Sequence, residues 1–255
     1  ARRAHARPFA VDRAFSSFAV LALMGAQAAD VRRMLIYVVC LVLATAVHEF
    51  AHAFAADRLG DPTPANEGRL TLNPLAHADP IGTIALPLFA GLTRAPLFGW
   101  GRPVMTNPRF YTRKVSMRAG MALVAFAGPL SNLLQALLIG LIAWGLVLAG
   151  LTPASHTSLF GVLGIFAVMN VTLAVFNMLP VHPLDGGKVL AWMLPSRFQN
   201  VDDFLARWGW AILLALLLTP SLSYIFDPIM RVVFHGMDLI DREWVDAYLL
   251  LLRRG

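Results

Sequence analysis

The sequence predicts an all-α polytopic membrane protein, and three observations carry that reading. Hydrophobic residues make up 58% of the chain and charged residues only 14%, against about 25% charged in a soluble domain. The apolar residues gather in long runs, and residues 34–47 and 119–184 contain no Asp, Glu, Lys or Arg. The basic residues fall at the ends of such runs and in one long loop, as topology signals do. A length of 255 residues suits one compact helical bundle with little room for a separate soluble domain. The net charge of +6 would suggest nucleic acid in a soluble protein. Here membrane orientation accounts for it, and no nucleic-acid partner is expected. The single cysteine, Cys40, lies in the first strong apolar span, so no intrachain disulfide can form.

Each element follows from local chemistry. Residues 1–13 carry four Arg and residues 14–29 no charge, the charge order of a signal peptide. That uncharged run is short for a crossing, so a short transmembrane helix and an interfacial helix both fit. Residues 35–56 form the first full span, stopped by Gly60 and Pro62. Residues 69–93 are mostly apolar but interrupted by Pro74, Pro80, Gly82 and Pro87. They read as a membrane-embedded or re-entrant loop packed on protein, where irregular backbone is tolerated. Residues 98–105 read as a small β-hairpin turning at Gly99 or Gly101.

The long uncharged stretch divides at the polar, Pro-containing residues 151–158 into spans over 119–150 and 159–179. A further run over 208–226 is broken by Pro220, residues 229–240 continue it or lie at the surface, and 241–255 form an amphipathic helix. Three regions are expected: an N-terminal segment at 1–33, a core at 34–195, and C-terminal transmembrane and amphipathic helices at 196–255. Residues 58–118 hold eight Lys and Arg, whereas 151–158 hold none. The positive-inside rule therefore puts the long loop in the cytosol. Arg32 and Arg33 argue the other way unless residues 14–29 also cross.

The chemistry sits at the end of the first span, in His48-Glu49-Phe50-Ala51-His52. His48 and His52 lie one helical turn apart on one face and can grip one metal ion, with Glu49 beside them as a general base. Ionisable groups in a membrane helix are a functional hypothesis by default, because burying them in lipid costs several kcal/mol. The bland alternative is two buried histidines satisfied by backbone carbonyls. A catalytic zinc takes three protein ligands and keeps a position open. The span over 159–179 returns to the depth of His52, and Asp185 follows it as the sole acidic residue between Asp79 and Asp202. Its rival role is to cap the helix beginning near Lys188. Pro180 and Pro183 exclude a regular helix there, and Gly186-Gly187 permit a tight turn.

With these residues in view, the chain resembles the site-2 protease family of intramembrane zinc metalloproteases, peptidase family M50. The resemblance rests on His48-Glu49-Phe50-Ala51-His52, on Asn177-x-x-Pro180-x-x-Pro183-Leu184-Asp185-Gly186, and on Gly128-Pro129-Leu130-Ser131-Asn132. It extends through Gly68-Arg69-Leu70-Thr71-Leu72-Asn73-Pro74 and Phe98-Gly99-Trp100-Gly101-Arg102-Pro103-Val104. It implies a three-helix catalytic core with flanking transmembrane helices, zinc held by His48, His52 and Asp185, and Glu49 as the catalytic residue. PDZ and CBS domains, common in relatives, do not fit this sequence, so the resemblance is to a minimal branch.

Asn132 could donate to an oxyanion or to substrate backbone, or could make a helix-to-helix hydrogen bond. Asn177 reads as a substrate- or loop-positioning residue. His77 and His182 are expected as interfacial or supporting groups, and His5, His156 and His235 as incidental. The embedded loop and the strand near Trp100 could offer an edge to an extended substrate segment.

The expected activity is hydrolysis of a peptide bond in or near a transmembrane segment of a membrane-tethered protein, in the cell membrane, with the site towards the cytosol. By resemblance, substrates are anti-sigma factors, transcription-factor precursors or signal-peptide remnants, and a regulatory membrane partner is a further expectation. The rival readings are a membrane metal transporter and a catalytically silent binder of transmembrane helices.

Overall fold

The computed structural model describes residues 31–86, 89, 101–112 and 114–253. The expected crossing or interfacial helix at 14–29 lies outside the described residues. Three helices are long and apolar enough to cross a membrane: α1 (Val31–Arg58), α2 (Met117–Leu148) and α3 (Thr157–Asn177). The shorter α4 (Asp185–Met193) follows α3 directly. Next come α5 (Gln199–Leu218) and α6 (Ser223–Ile240), which together are apolar enough for a crossing but meet at an 85° bend around Pro220. The chain closes with α7 (Trp244–Arg253). The expected all-helical membrane architecture is what forms, and the break at Pro220 falls where the missing N–H and fixed φ require it.

Small residues let α1, α2 and α3 pack closely. Ala44, Ala46, Ala53 and Ala56 of α1 are buried, as are Gly120, Ala122, Ala125, Gly128 and Ala143 of α2. The opposite side of α2 exposes Leu133, Leu134, Leu137, Leu138, Leu141 and Trp144, a surface suited to lipid. Pro129 lies inside α2, and the hydroxyl of Ser131 donates to the Gly128 carbonyl across that turn at 2.7 Å, one way membrane helices tolerate proline. Away from the site, Phe160, Ile165 and Val168 of α3 form a core with Met230, Phe234 and Met237 of α6 and Trp244 and Tyr248 of α7. The Trp244 indole N–H donates to the Phe160 carbonyl at 2.8 Å. The amphipathic face expected in the tail is therefore docked on α3.

The loop after α1 is irregular but ordered by local caps. Gly60 takes a positive φ of 99° just beyond α1, as the stop signal there predicts. Residues Pro74–His77 form one helical turn capped by Asn73, and Pro80–Ala85 a short π-helix capped by Asp79. Both pack against α1, so this part of the embedded loop rests on protein. No strand forms among the described residues. Of the expected hairpin, 98–100 lie outside the described residues and 101–105 are irregular. Their amides have other acceptors: Arg102 N–H donates to the His77 carbonyl at 2.8 Å and Val104 N–H to Glu49 Oε2 at 3.0 Å.

Candidate metal centre

His48 and His52 project from one face of α1, as their spacing of four demands, and Asp185 is the first residue of α4. All three are buried, and one ligand atom from each lies within 4.8 Å of the others. The two Nε2 atoms are 3.0 Å apart, and Asp185 Oδ2 lies 3.3 Å from His48 Nε2 and 3.2 Å from His52 Nε2. Zinc bonds of 2.0–2.1 Å at a tetrahedral angle separate neighbouring ligand atoms by about 3.3 Å. The triangle has that size.

The proton positions decide what the triangle can hold. His52 Nδ1 lies 2.7 Å from the Val124 carbonyl, which can only accept, so this nitrogen carries the hydrogen. For His48 the direction is set two side chains away. Asn170 Nδ2 donates to the Phe166 carbonyl at 2.9 Å, which turns Asn170 Oδ1 towards Asn132. Asn132 Nδ2 donates to that oxygen at 2.8 Å and to the Ala44 carbonyl at 3.4 Å. Asn132 Oδ1 is left to accept from His48 Nδ1, 2.5 Å away. In the neutral rings both Nε2 atoms are therefore lone pairs, aimed at each other and at a carboxylate oxygen. Three acceptors with no donor between them fit a cation, and neutral imidazole plus carboxylate is a zinc donor set. Lys188 Nζ lies 3.5 Å from Asp185 Oδ1, the oxygen turned away from the imidazoles.

Over 199 residues the chain is 36% identical to "Putative zinc metalloprotease YwhC" of Bacillus subtilis, which spans 76% of this chain and 85% of that one. The chain belongs to peptidase family M50. A family model described as Peptidase family M50 matches residues 145–218, the part that carries Asn170 and Asp185. The chain is also 34% identical over 230 residues to "Putative zinc metalloprotease Rip2" of Mycolicibacterium smegmatis, covering 88% of this chain and 82% of that protein. No solved structure matches the chain. M50 membership agrees with the resemblance drawn from the motifs, and zinc metalloprotease is the activity in the relatives' names.

Within this M50 site the motif between the two ligand motifs acquires a physical reason. A Cβ on Gly128 would sit 2.4 Å from His52 Nε2 and 2.7 Å from His48 Cε1, so only glycine lets α2 pass this close to the metal-facing edges of the rings. Asn132, four residues on, meets His48 from the same helix face. Both hydrogens of its amide are engaged, so the helix-to-helix bond is the arrangement seen. Asn177 donates to the Leu173 carbonyl within its own helix at 2.9 Å. His77 is fully buried outside the cluster, with Nε2 donating to the Thr71 carbonyl at 2.8 Å. Glu49 lies outside the triangle and is half-buried, its Oε2 held by Val104.

Asn170 was not foreseen. The available signal is an amide in the middle of an uncharged span, which must find a partner in lipid. Gly186 and Gly187 were expected to permit a turn. They lie in the first turn of α4, where Gly187 N–H donates to the Leu184 carbonyl at 3.1 Å, and Gly186 is needed for close approach, because a Cβ there would lie 2.3 Å from the Met178 carbonyl oxygen.

Replacing Gly128 by Ala should abolish stoichiometric zinc, read as metal content of the purified, correctly sized protein. Asn132→Leu should lower zinc affinity about 10–100-fold, the usual range for losing a ligand's hydrogen-bond partner, and Asn170→Leu should act in the same direction more weakly. Chelator competition measures both, and unchanged affinity in both would remove the relay from the account.

Proposed function

We propose that the protein is an intramembrane zinc endopeptidase cleaving a peptide bond in or beside a transmembrane segment of a membrane-tethered substrate. The observation that carries this is a buried triangle of two imidazole lone pairs, from a helix apolar enough to cross a bilayer, and one carboxylate oxygen from the short helix that follows another such span. In this reading His48, His52 and Asp185 hold zinc, which when bound activates water near neutral pH and polarises the scissile carbonyl. Glu49 is the general base. The Val104 amide fixes Oε2, and Oε1 takes a proton from the attacking water and returns it to the leaving amine. Asn132 serves His48 as an orienting residue rather than as an oxyanion donor, since its N–H groups face Asn170 and Ala44. Asn177 is assigned to positioning of substrate or loop.

Hydrolysis needs solvent at this depth. Eight Lys and Arg in residues 58–118 support a site facing the cytosol. A substrate helix must unwind locally, since its carbonyls are otherwise engaged in i→i−4 hydrogen bonds. Membrane-tethered anti-sigma factors, transcription-factor precursors and signal-peptide remnants are the substrate classes proposed, and a membrane partner is the proposed regulator.

Glu49→Gln tests the assignment with zinc content and cleavage measured together on reconstituted protein. Zinc should stay stoichiometric while cleavage falls at least 10²–10⁴-fold, the range for losing a general base. Metal flux through wild-type vesicles without cleavage would make the protein a transporter, and helix binding without either would make it a silent binder.

A further inference from the structure

Asp185 is the one ligand of the triangle not fixed by α1, so whatever supports its loop decides whether the site closes. That loop is a chain of tight turns. Val181 N–H donates to the Leu179 carbonyl at 2.7 Å, Leu184 N–H to Val181 at 3.0 Å, and Gly187 N–H to Leu184 at 3.1 Å. His182 sits inside the turn that closes one residue before Asp185. The backbone at Val181 and His182 is also the floor beneath α4, because a Cβ on Gly187 would lie 2.9 Å from His182 N and 3.0 Å from the Val181 carbonyl carbon.

The outer support of His182 comes from α5. His182 Nε2 donates to Asp202 Oδ1 at 3.1 Å, with both side chains about a quarter exposed. Seven residues later, hence two turns along the same face, Gly209 meets the same histidine. A Cβ there would stand 2.1 Å from the His182 carbonyl oxygen. Gly209 is the buried residue of α5, whose other described positions are half-buried or exposed. The helix is therefore closest to the rest of the protein where it meets His182.

We propose that Asp202 and Gly209 are positioning residues: by gripping His182 at side chain and backbone, α5 sets the place of Asp185 at the metal centre. This rests on the zinc reading above and assigns to it two residues outside its motifs. Neither touches metal or substrate, and both act through His182.

The test uses full-length protein and first establishes zinc binding and cleavage in the wild type. Absence of zinc binding there overturns the zinc-protease reading and this proposal with it, whereas the variants below bear on this proposal alone. Asp202→Leu and Gly209→Ala should each lower zinc affinity about tenfold, the low end for losing outlying support of a ligand, and should alter the visible spectrum of the cobalt(II)-substituted protein. Asp202→Asn keeps an oxygen that accepts from His182 and should restore affinity and spectrum to near wild-type. The double variant Asp202→Leu/Gly209→Ala should lose less than the sum of the singles, because both losses run through one residue. Wild-type zinc affinity and cobalt spectrum in an active, folded Asp202→Leu and Gly209→Ala pair would overturn the proposal. Equal losses in Asp202→Asn and Asp202→Leu would overturn it as well.

Discussion

Three atoms that each carry a lone pair are held 3.0–3.3 Å apart inside the helix bundle. Left to themselves they repel, and they do so more strongly away from water than in it. Everything near them keeps them facing one another. Val124 and Asn132 of α2 fix the outer nitrogens of the two rings, Asn170 of α3 fixes Asn132, and the start of α4 delivers the carboxylate. One backbone carbonyl, Phe166, sets the direction of every proton in the relay ending at His48. The packing of three membrane helices and the tautomer of one histidine are thus a single arrangement.

Magnitudes show what these polar contacts are for. A side-chain hydrogen bond between membrane helices contributes only about 0.6–2 kcal/mol, no more than good packing of small residues. The Asn132–Asn170 bond is therefore a weak reason for α2 and α3 to associate. Its larger effect is on orientation. If the Asn132 amide were reversed, an N–H would face His48 Nδ1, the ring's hydrogen would move to Nε2, and a proton would occupy the place of the metal. A bond of ordinary strength can decide between a site that takes a cation and one that refuses it.

The sequence made the spans, the paired histidines and the isolated Asp185 legible, because each is a departure from a strong local pattern. Charges vanish for long runs, then reappear where helical spacing or span length gives them a common depth. Contacts between distant segments were not legible. Nothing in the residues near Val104 says that its amide meets Glu49, and nothing near Asp202 says that it meets His182. The Gly-rich residues around 99–101 carry a hairpin signal, yet among the described residues the amides at 102 and 104 go to His77 and Glu49. Local rules register a turn residue but not the acceptor that competes for its neighbours. Gly128 and Gly186 teach the same lesson, since both are glycine because of what stands opposite them. Asn132 has two possible roles by sequence, and the bond it makes is to a second buried amide thirty-eight positions away, Asn170, which no local pattern connects to it.

The ligands also differ in what holds them. His48 and His52 share a helix, so their spacing is a property of α1 and survives any rearrangement that leaves α1 intact. The distance to Asp185 is tertiary, set by a loop of turns backed on one side by α5, whose sole buried position is Gly209. In proteins the least buried elements open most readily. A site whose first two ligands are permanent and whose third depends on docking is complete only when that docking is complete. Such a division suits chemistry that must admit both water and a polypeptide. The rigid pair keeps the metal position defined, and the third ligand is placed by packing between distant segments, α4 against α2 and α5.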